Sequence, residues 1–313
     1  MGGSGGSFPS NYDPKQVDDE LSVSIDETRK AEFESTVSGF LNDLLTDINS
    51  RDTDKIQKRL EEIRKHLEKE IEDGTLILNF GGSVKKHTYV DGLSDIDSLV
   101  VLNNTELADK SPKQVQTFFL NKLKDSIKNI NSIEKGNMAV TVEFKDGMVI
   151  QLLPSIRTKT GIKIPSTNGS DWSDIINPAK FAQKLSSVNS ALNRKVVPAI
   201  KLIKSLNSQF PEKRQMTGYH IESLAIEAFK NFTDPDPTTK KLVRRFFDIA
   251  VELVKTPIRD KTGQSIHVDG YLGPKNSDMR KGVSYQLEFM SRKMREADRI
   301  SSTDLWKDIF GEL

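Results

Sequence analysis

Apolar positions divide the chain into a helical opening, a short stranded centre and a long helical remainder. Phe33, Val37, Phe40, Leu41, Leu44, Leu45 and Ile48 follow helical spacing, and Ile56, Leu60, Ile63, Leu67 and Ile71 resume it after Arg51-Asp52-Thr53-Asp54. Two long amphipathic helices are therefore predicted ahead of the first strand. Short apolar runs then take over at residues 75–80, 98–102, 139–144 and 148–153. Their length and their Val, Ile and Phe content predict strands, and Lys145-Asp146-Gly147 between the last two is a hairpin turn signal. Between Leu102 and Met138, the residues Val115, Phe118, Phe119, Leu123, Ile127 and Ile130 predict a helix crossing the sheet. The polar stretch 157–172 reads as a linker or a surface excursion. Helical period returns over residues 181–206, where Pro198 kinks or restarts the helix, and again over 220–232, 240–254 and 283–300.

This pattern predicts an α+β protein: a small mixed sheet carrying helices, followed by a helical lobe. The expected boundaries are a flexible Gly/Ser-rich start over 1–20, a sheet lobe with the long N-terminal helices over 21–170, and a helical lobe over 171–313. Two lobes imply a cleft, where substrates commonly sit.

Composition narrows the chemistry. At 313 residues and 35% hydrophobic content the chain can bury a sizeable core. Lys and Arg total 46 against 45 Asp and Glu, and a net charge of +1 gives no general reason to expect long nucleic acid as a partner. The absence of cysteine removes disulfides, thiolate zinc sites and cysteine nucleophiles. No apolar run approaches the roughly 20 residues of a membrane span, and no signal peptide pattern is present, so a soluble, cytoplasmic protein is expected.

The chemically informative segment runs from Asn79-Phe80 through Gly81-Gly82-Ser83 to Asp95-Ile96-Asp97 and the following strand. Gly81 and Gly82 let backbone amides approach a triphosphate, and Ser83 adds a hydroxyl donor. On a strand Asp95 and Asp97 point the same way with Ile96 turned into the core, which suits a Mg²⁺ site. Gly-Gly-Ser alone is usually a turn, and Asp-x-Asp alone is often a solvated strand end. Together, between apolar strands, they form a constellation. Lys85, Lys86 and His87 are either a solvated loop or added positive charge near phosphates. Lys240-Lys241 and Arg244-Arg245 form a basic helix face, for which solvation is the simpler account than nucleic-acid contact. His220 and His267 lack the spaced partners of a metal site.

The Gly-Ser pair followed by Asp-x-Asp resembles the nucleotidyltransferase signature of the DNA polymerase β-like superfamily. With Gln151-Leu-Leu-Pro154, Lys201-Leu-Ile-Lys204, Thr217-Gly-Tyr-His-Ile-Glu-Ser-Leu224 and Leu305-Trp-Lys-Asp-Ile-Phe-Gly311, the chain is similar to the bacterial cGAS/DncV-like family. That resemblance implies a polymerase β-like lobe joined to a helical lobe of the oligoadenylate-synthetase type. It implies a template-independent enzyme making cyclic di- or oligonucleotide second messengers in antiphage defence from nucleoside triphosphates, ATP among them, with Mg²⁺ or Mn²⁺ as cofactor and regulatory or effector proteins as partners. By the same resemblance Gly82 and Ser83 bind the nucleotide, Asp95 and Asp97 are catalytic metal ligands, Lys204 contacts the donor triphosphate and Tyr219 stacks on a base. No tail for conjugation is expected after the last matched segment. One departure stands out: the family's third carboxylate, three residues before the proline, is here Gln151. Gln151 then completes a second metal site through water, or Glu143 supplies the missing carboxylate, or the protein is an impaired nucleotide-binding scaffold; the first is favoured because the other motif residues are intact. An RNA- or tRNA-tailing enzyme shares the same motif, and the near-neutral charge disfavours it.

Overall fold

Alternation along two neighbouring strands shows how the sheet divides its faces. The computed structural model describes residues 14–49, 53–68, 77–80, 88, 96–103, 105–124, 126–166, 168–259 and 268–311. In β4 (Val140–Phe144) the side chains of Val140, Val142 and Phe144 are buried, while Thr141 and Glu143 are only half-buried. β5 (Val149–Arg157) repeats the pattern, with Ile150 and Leu152 buried and Gln151 and Leu153 half-buried. Period-two alternation of this kind puts one set on a core and the other on the open face. The turn between them places Gly147 at φ +83°, and Asp146 Oδ1 accepts the amide of Met148 at 3.2 Å.

The sheet order is β1 (Ile77–Phe80), β2 (Ile96–Val101), β5, β4 and β3 (Ile130–Lys135), with β6 (Ile162–Lys163) paired to the far end of β5. β2 runs parallel to β5, and every other pairing is antiparallel. Two helices cover the apolar face. α2 (Thr53–Glu68) contributes Ile56, Leu60, Ile63 and Leu67, and α3 (Pro112–Lys124) contributes Val115, Phe119 and Leu123. Both sets recur every three or four residues, so each helix presents one stripe.

One expectation for this lobe is corrected, the extent of the crossing helix, and another is given detail. The crossing helix stops at Lys124, and Ile130 opens strand β3, which forms a hairpin with β4 closed by the Gly136 amide on the Ala139 carbonyl. Ile127 and Ile130 continue the helical spacing by coincidence; Ile127 is buried in the same core after the helix has ended. Residues 157–172 hold more structure than a linker. They include β6, and Ile162 bridges Ile176 while Pro165 bridges Trp172. Gly161 is needed there, since a Cβ would lie 2.3 Å from the Ile176 carbonyl oxygen.

The remaining helices form a second core. They are α1 (Pro14–Ile48), α4 (Pro178–Ala191), α5 (Val196–Ser208), α6 (Gly218–Phe229), α7 (Thr239–Leu253), α8 (Asp278–Arg299) and α9 (Thr303–Phe310). Asn177, Thr217, Thr238, Ser277 and Ser302 accept backbone amides at the starts of α4, α6, α7, α8 and α9, as capping residues do. Asn193 and Arg194, at φ 51° and 60°, break the chain between α4 and α5, which leaves Pro198 harmlessly in the first turn of α5.

α1 departs from the expected grouping with the sheet. Its stripe of Phe33, Val37, Leu41, Leu44, Leu45 and Ile48 packs in the helical core with residues of α5, α7 and α9. α1 is also helical from Pro14, inside the stretch expected to be irregular up to residue 20, whereas Met1 to Ser7 lie outside the described residues. Lys240 reinforces this placement: it is 3% exposed, its Nζ lies 2.5 Å from Glu34 Oε1 and 2.8 Å from Asp298 Oδ1, and it sits 4.3 Å from the centre of the Phe33 ring. Lys241 pairs with Asp234 and Arg244 with Asp298, so these cations of α7 are matched within the chain. Among the described residues no helix is long and apolar enough to cross a membrane.

Since Leu41 is 1% exposed inside the helical core, Leu41→Ala should lower stability by about 2–5 kcal/mol through a lost apolar contact and a residual cavity. Urea denaturation followed by helical circular dichroism measures this, and an unchanged midpoint would show that α1 is not part of that core.

Candidate active site

On the sheet the structure brings two of the candidate residues side by side, Asp97 and Gln151. Gly82, Ser83 and Asp95 lie outside the described residues, as do Lys85, Lys86, His87 and His267, and Asp97 is described through its backbone in β2. Asp97 is in register with Gln151 on the parallel neighbour β5, and Gln151 is in register with Thr141 on β4. Paired residues on adjacent strands share a face, so Asp97, Gln151 and Thr141 form a row on the side away from α2 and α3. Ser98, one step along β2, is fully buried, as that alternation requires.

Glu143 shares this face but is directed elsewhere. It is in register with Val149 and with Ser132, and its Oε2 accepts the Ser132 hydroxyl at 2.9 Å. It stands two strands from β2, roughly 10 Å at the usual interstrand spacing, and its carboxylate is engaged on the side remote from Asp97. The geometry therefore disfavours Glu143 as a substitute for the carboxylate absent at position 151.

Lys204 and Tyr219 come from the helical lobe. Lys204, on α5, is 7% exposed rather than on a solvated face. Its Nζ donates to Glu222 Oε1 at 2.9 Å and to the backbone carbonyl of Thr88 at 2.9 Å. Thr88 belongs to the connection between β1 and β2, so the lysine joins the signature segment to the helices. Tyr219 lies in the first turn of α6, half-buried, its ring 4.6 Å from that of Phe181 and tilted by 51°. Glu222 and Thr88 were not singled out from the sequence. The available signal was a carboxylate on a helix whose neighbours Ile221, Leu224, Ala225 and Ile226 are all apolar.

The start of α6 is fixed by a second polar cluster. Tyr271 Oη accepts the Thr217 amide at 3.1 Å and lies 2.8 Å from His220 Nδ1. On the other side of the ring, Nε2 lies 3.6 Å from Asp269 Oδ2, beyond hydrogen-bond distance. Asp269 is fully buried against Arg280, Nη1 to Oδ2 at 2.6 Å, and Arg280 also donates to the carbonyls of Val254 and Gly273. Burial pushes the His220 pKa down to about 4, against the opposing pull of the Asp269 charge.

A family model described as the Second Messenger Oligonucleotide or Dinucleotide Synthetase domain matches residues 33–189. The chain belongs to this family. No curated protein matches it in sequence. Among solved structures it is similar to CdnG of Bradyrhizobium diazoefficiens in complex with GTP, at 14% identity over 90% of this chain and 95% of that chain, with a TM-score of 0.68. It is similar to CdnC of E. coli MS115-1 with ATP, at 14% identity over 89% of this chain and 97% of that one, with a TM-score of 0.66. Vibrio cholerae DncV, a cyclic AMP-GMP synthase, matches at 9% identity over 96% and 89%, with a TM-score of 0.59. At such identities the likeness shows the α+β fold, and the family match carries the activity: this is a nucleotidyltransferase that makes an oligonucleotide or dinucleotide second messenger.

The His220 cluster has a pH consequence. The folded pKa of about 4 lies below the unfolded value near 6.5, so the unfolded chain binds the extra proton first. Its contribution is complete above about pH 6.5 and is lost as pH falls towards 4, on the order of 3 kcal/mol in all. Wild-type stability, measured by urea denaturation between pH 4 and 7, should fall with acid more steeply than that of His220→Gln; equal slopes would refute the assignment.

Proposed function

We propose that the open sheet face and the facing helices form the transfer site, with Gly82 and Ser83 on the donor triphosphate and Asp95 and Asp97 as the metal-binding carboxylates. The observation that carries this reading is the register of Asp97 beside Gln151 on the uncovered face, in a chain of this synthetase family. The donor set fits a hard divalent cation: carboxylate oxygens with an amide oxygen as neighbour, and no soft ligand among them. Bound there by Asp95 and Asp97, Mg²⁺ or Mn²⁺ would neutralise phosphate charge and make a ribose hydroxyl more acidic.

The chain's own groups do the rest. A ribose hydroxyl oxygen of one nucleotide forms a bond to the α-phosphorus of another while the bond to the pyrophosphate oxygen breaks, and a second such attack closes the ring. Lys204 supplies a fixed cation on the donor side, and Tyr219 gives a base an aromatic face, worth about 1–3 kcal/mol where stacking is complete. Gln151 is neutral, so it orients the acceptor or a water by hydrogen bonding, and the hydroxyl proton passes to water rather than to residue 151. The substrates in this reading are ATP or GTP, supported by the solved relatives that hold them. A regulatory protein partner also belongs to it, supported by E. coli CdnC having been solved with a HORMA protein.

Incubating the pure protein with labelled nucleoside triphosphates and Mg²⁺ or Mn²⁺, without RNA, should give a phosphatase-resistant product. Asp95→Ala combined with Asp97→Ala should abolish it, and Gln151→Ala should lower kcat by about 10–100-fold, the effect of removing a supporting ligand. Undiminished turnover in the double variant would overturn the site; labelling only of added RNA would replace cyclisation with tailing, and nucleotide binding without turnover would favour the scaffold.

A further inference from the structure

Three chain segments meet in a buried polar cluster that neither apolar core requires. Thr88, Lys204 and Glu222 are 0%, 7% and 1% exposed. A single oxygen, Glu222 Oε1, accepts the Thr88 hydroxyl at 2.5 Å and the Lys204 ammonium at 2.9 Å, and the same ammonium donates to the Thr88 carbonyl. Gly218 leaves room for it: a Cβ there would stand 3.3 Å from both Cε and Nζ of Lys204.

Burying a lysine with a glutamate is a poor route to stability, because desolvation of both ions offsets much of their attraction and an apolar pair of similar volume often serves as well. The surroundings would suit such a pair, since Ile200, Ile203, Ile221 and Ala225 are buried on the same two helices. What an apolar pair cannot supply is direction. A shared carboxylate oxygen fixes the angle and separation of two donors at once, and here one donor belongs to the segment between β1 and β2 and the other to α5.

We propose that Glu222 is a positioning residue for nucleotidyl transfer: through Lys204 it holds Thr88, the point of the β1–β2 connection that it touches, against the helical lobe, so that a triphosphate meets the lysine already in place. Glu222 does not touch the nucleotide in this arrangement. The inference rests on the reading that Lys204 faces the donor triphosphate, and its test is built so that the two fail separately.

The variants are Glu222→Gln, Thr88→Val, their combination, and Thr88→Ser, all in the full chain. Steady-state kinetics with ATP or GTP and Mg²⁺ should show KM raised about tenfold in either single variant, with kcat within about threefold, as expected for lost positioning of a binding group. The combination should be no worse than the stronger single change, because both remove one linked unit, and Thr88→Ser should restore wild-type values. Without nucleotide, amide exchange in peptides spanning residues 84–92 should be at least roughly tenfold faster in both single variants, with α7 unchanged. Unaltered KM and unaltered exchange in Thr88→Val would overturn the proposal, as would KM effects that multiply in the combination. If the wild-type protein turns over no nucleotide, the triphosphate reading has failed, and the exchange measurement alone decides whether Glu222 sets the connection. If Glu222→Gln does not fold, Thr88→Val is judged by the same two criteria.

Discussion

Parallel pairing of β2 with β5 is the constraint on which the candidate site depends. β2 lies inside the sheet, hydrogen-bonded to β1 on one side and β5 on the other, so both of its faces are specified by its neighbours. Side chains alternate with period two, and a slip of one residue would exchange Asp97 for Ser98, turning a carboxylate into the core under α2 and α3. Val100 is buried in that apolar core, and Ser98 is buried on the same side, so packing on the covered face holds the register. The polar face is thus oriented by the hydrophobic one, and Gln151 stands beside Asp97 because Ile150 and Leu152 are fixed in the same core.

The two cores are built on different principles. The sheet core is set by backbone hydrogen bonds that leave little freedom along the strands. The helical core is set by side-chain stripes, which tolerate small shifts until polar contacts remove the freedom. Lys240, Arg280 and Lys204 each supply such contacts from a buried or nearly buried position, and each is matched by a carboxylate on another segment: Glu34 and Asp298, Asp269, and Glu222.

Much of the architecture was legible in the sequence because its signals are local. The 3.6-residue stripes of α1, α2 and α7 and the alternation of β4 and β5 are written in runs of five or more residues, and each was located. The losses came where a local signal had two readings. Ile127 and Ile130 fit a helix by spacing but belong after its end. The polar composition of 157–172 hid a strand pairing made by backbone rather than by side chains. α1 carries a clear apolar stripe, yet no stripe states which core it enters, and that was decided by Phe33 and Glu34 meeting Lys240 some 200 residues away. At the site, the motif residues could be named from their types and order, and the Asp97–Gln151 neighbour relation awaited the register. For Glu222 the helix offered only a carboxylate among apolar neighbours, and its role awaited partners 134 and 18 positions distant.

The charge at Glu222 also bears on what Lys204 can do. An ammonium held by a carboxylate and a backbone carbonyl is already neutralised in part, so its attraction for phosphate is weaker than that of an isolated cation. In exchange it is oriented, and a binding group that needs no reorganisation loses less on meeting its ligand than a flexible one. A long lysine on a solvated helix face has many rotamers to lose; Lys204, packed past Gly218 and anchored at its tip, has few. The register of β2 and this anchor are separate constraints, one on the placement of the strand that carries Asp97 and the other on the placement of the Lys204 cation. Nucleotidyl transfer needs both placements at once, because in-line attack depends on the position of the α-phosphorus relative to the attacking oxygen more than on the strength of any single contact.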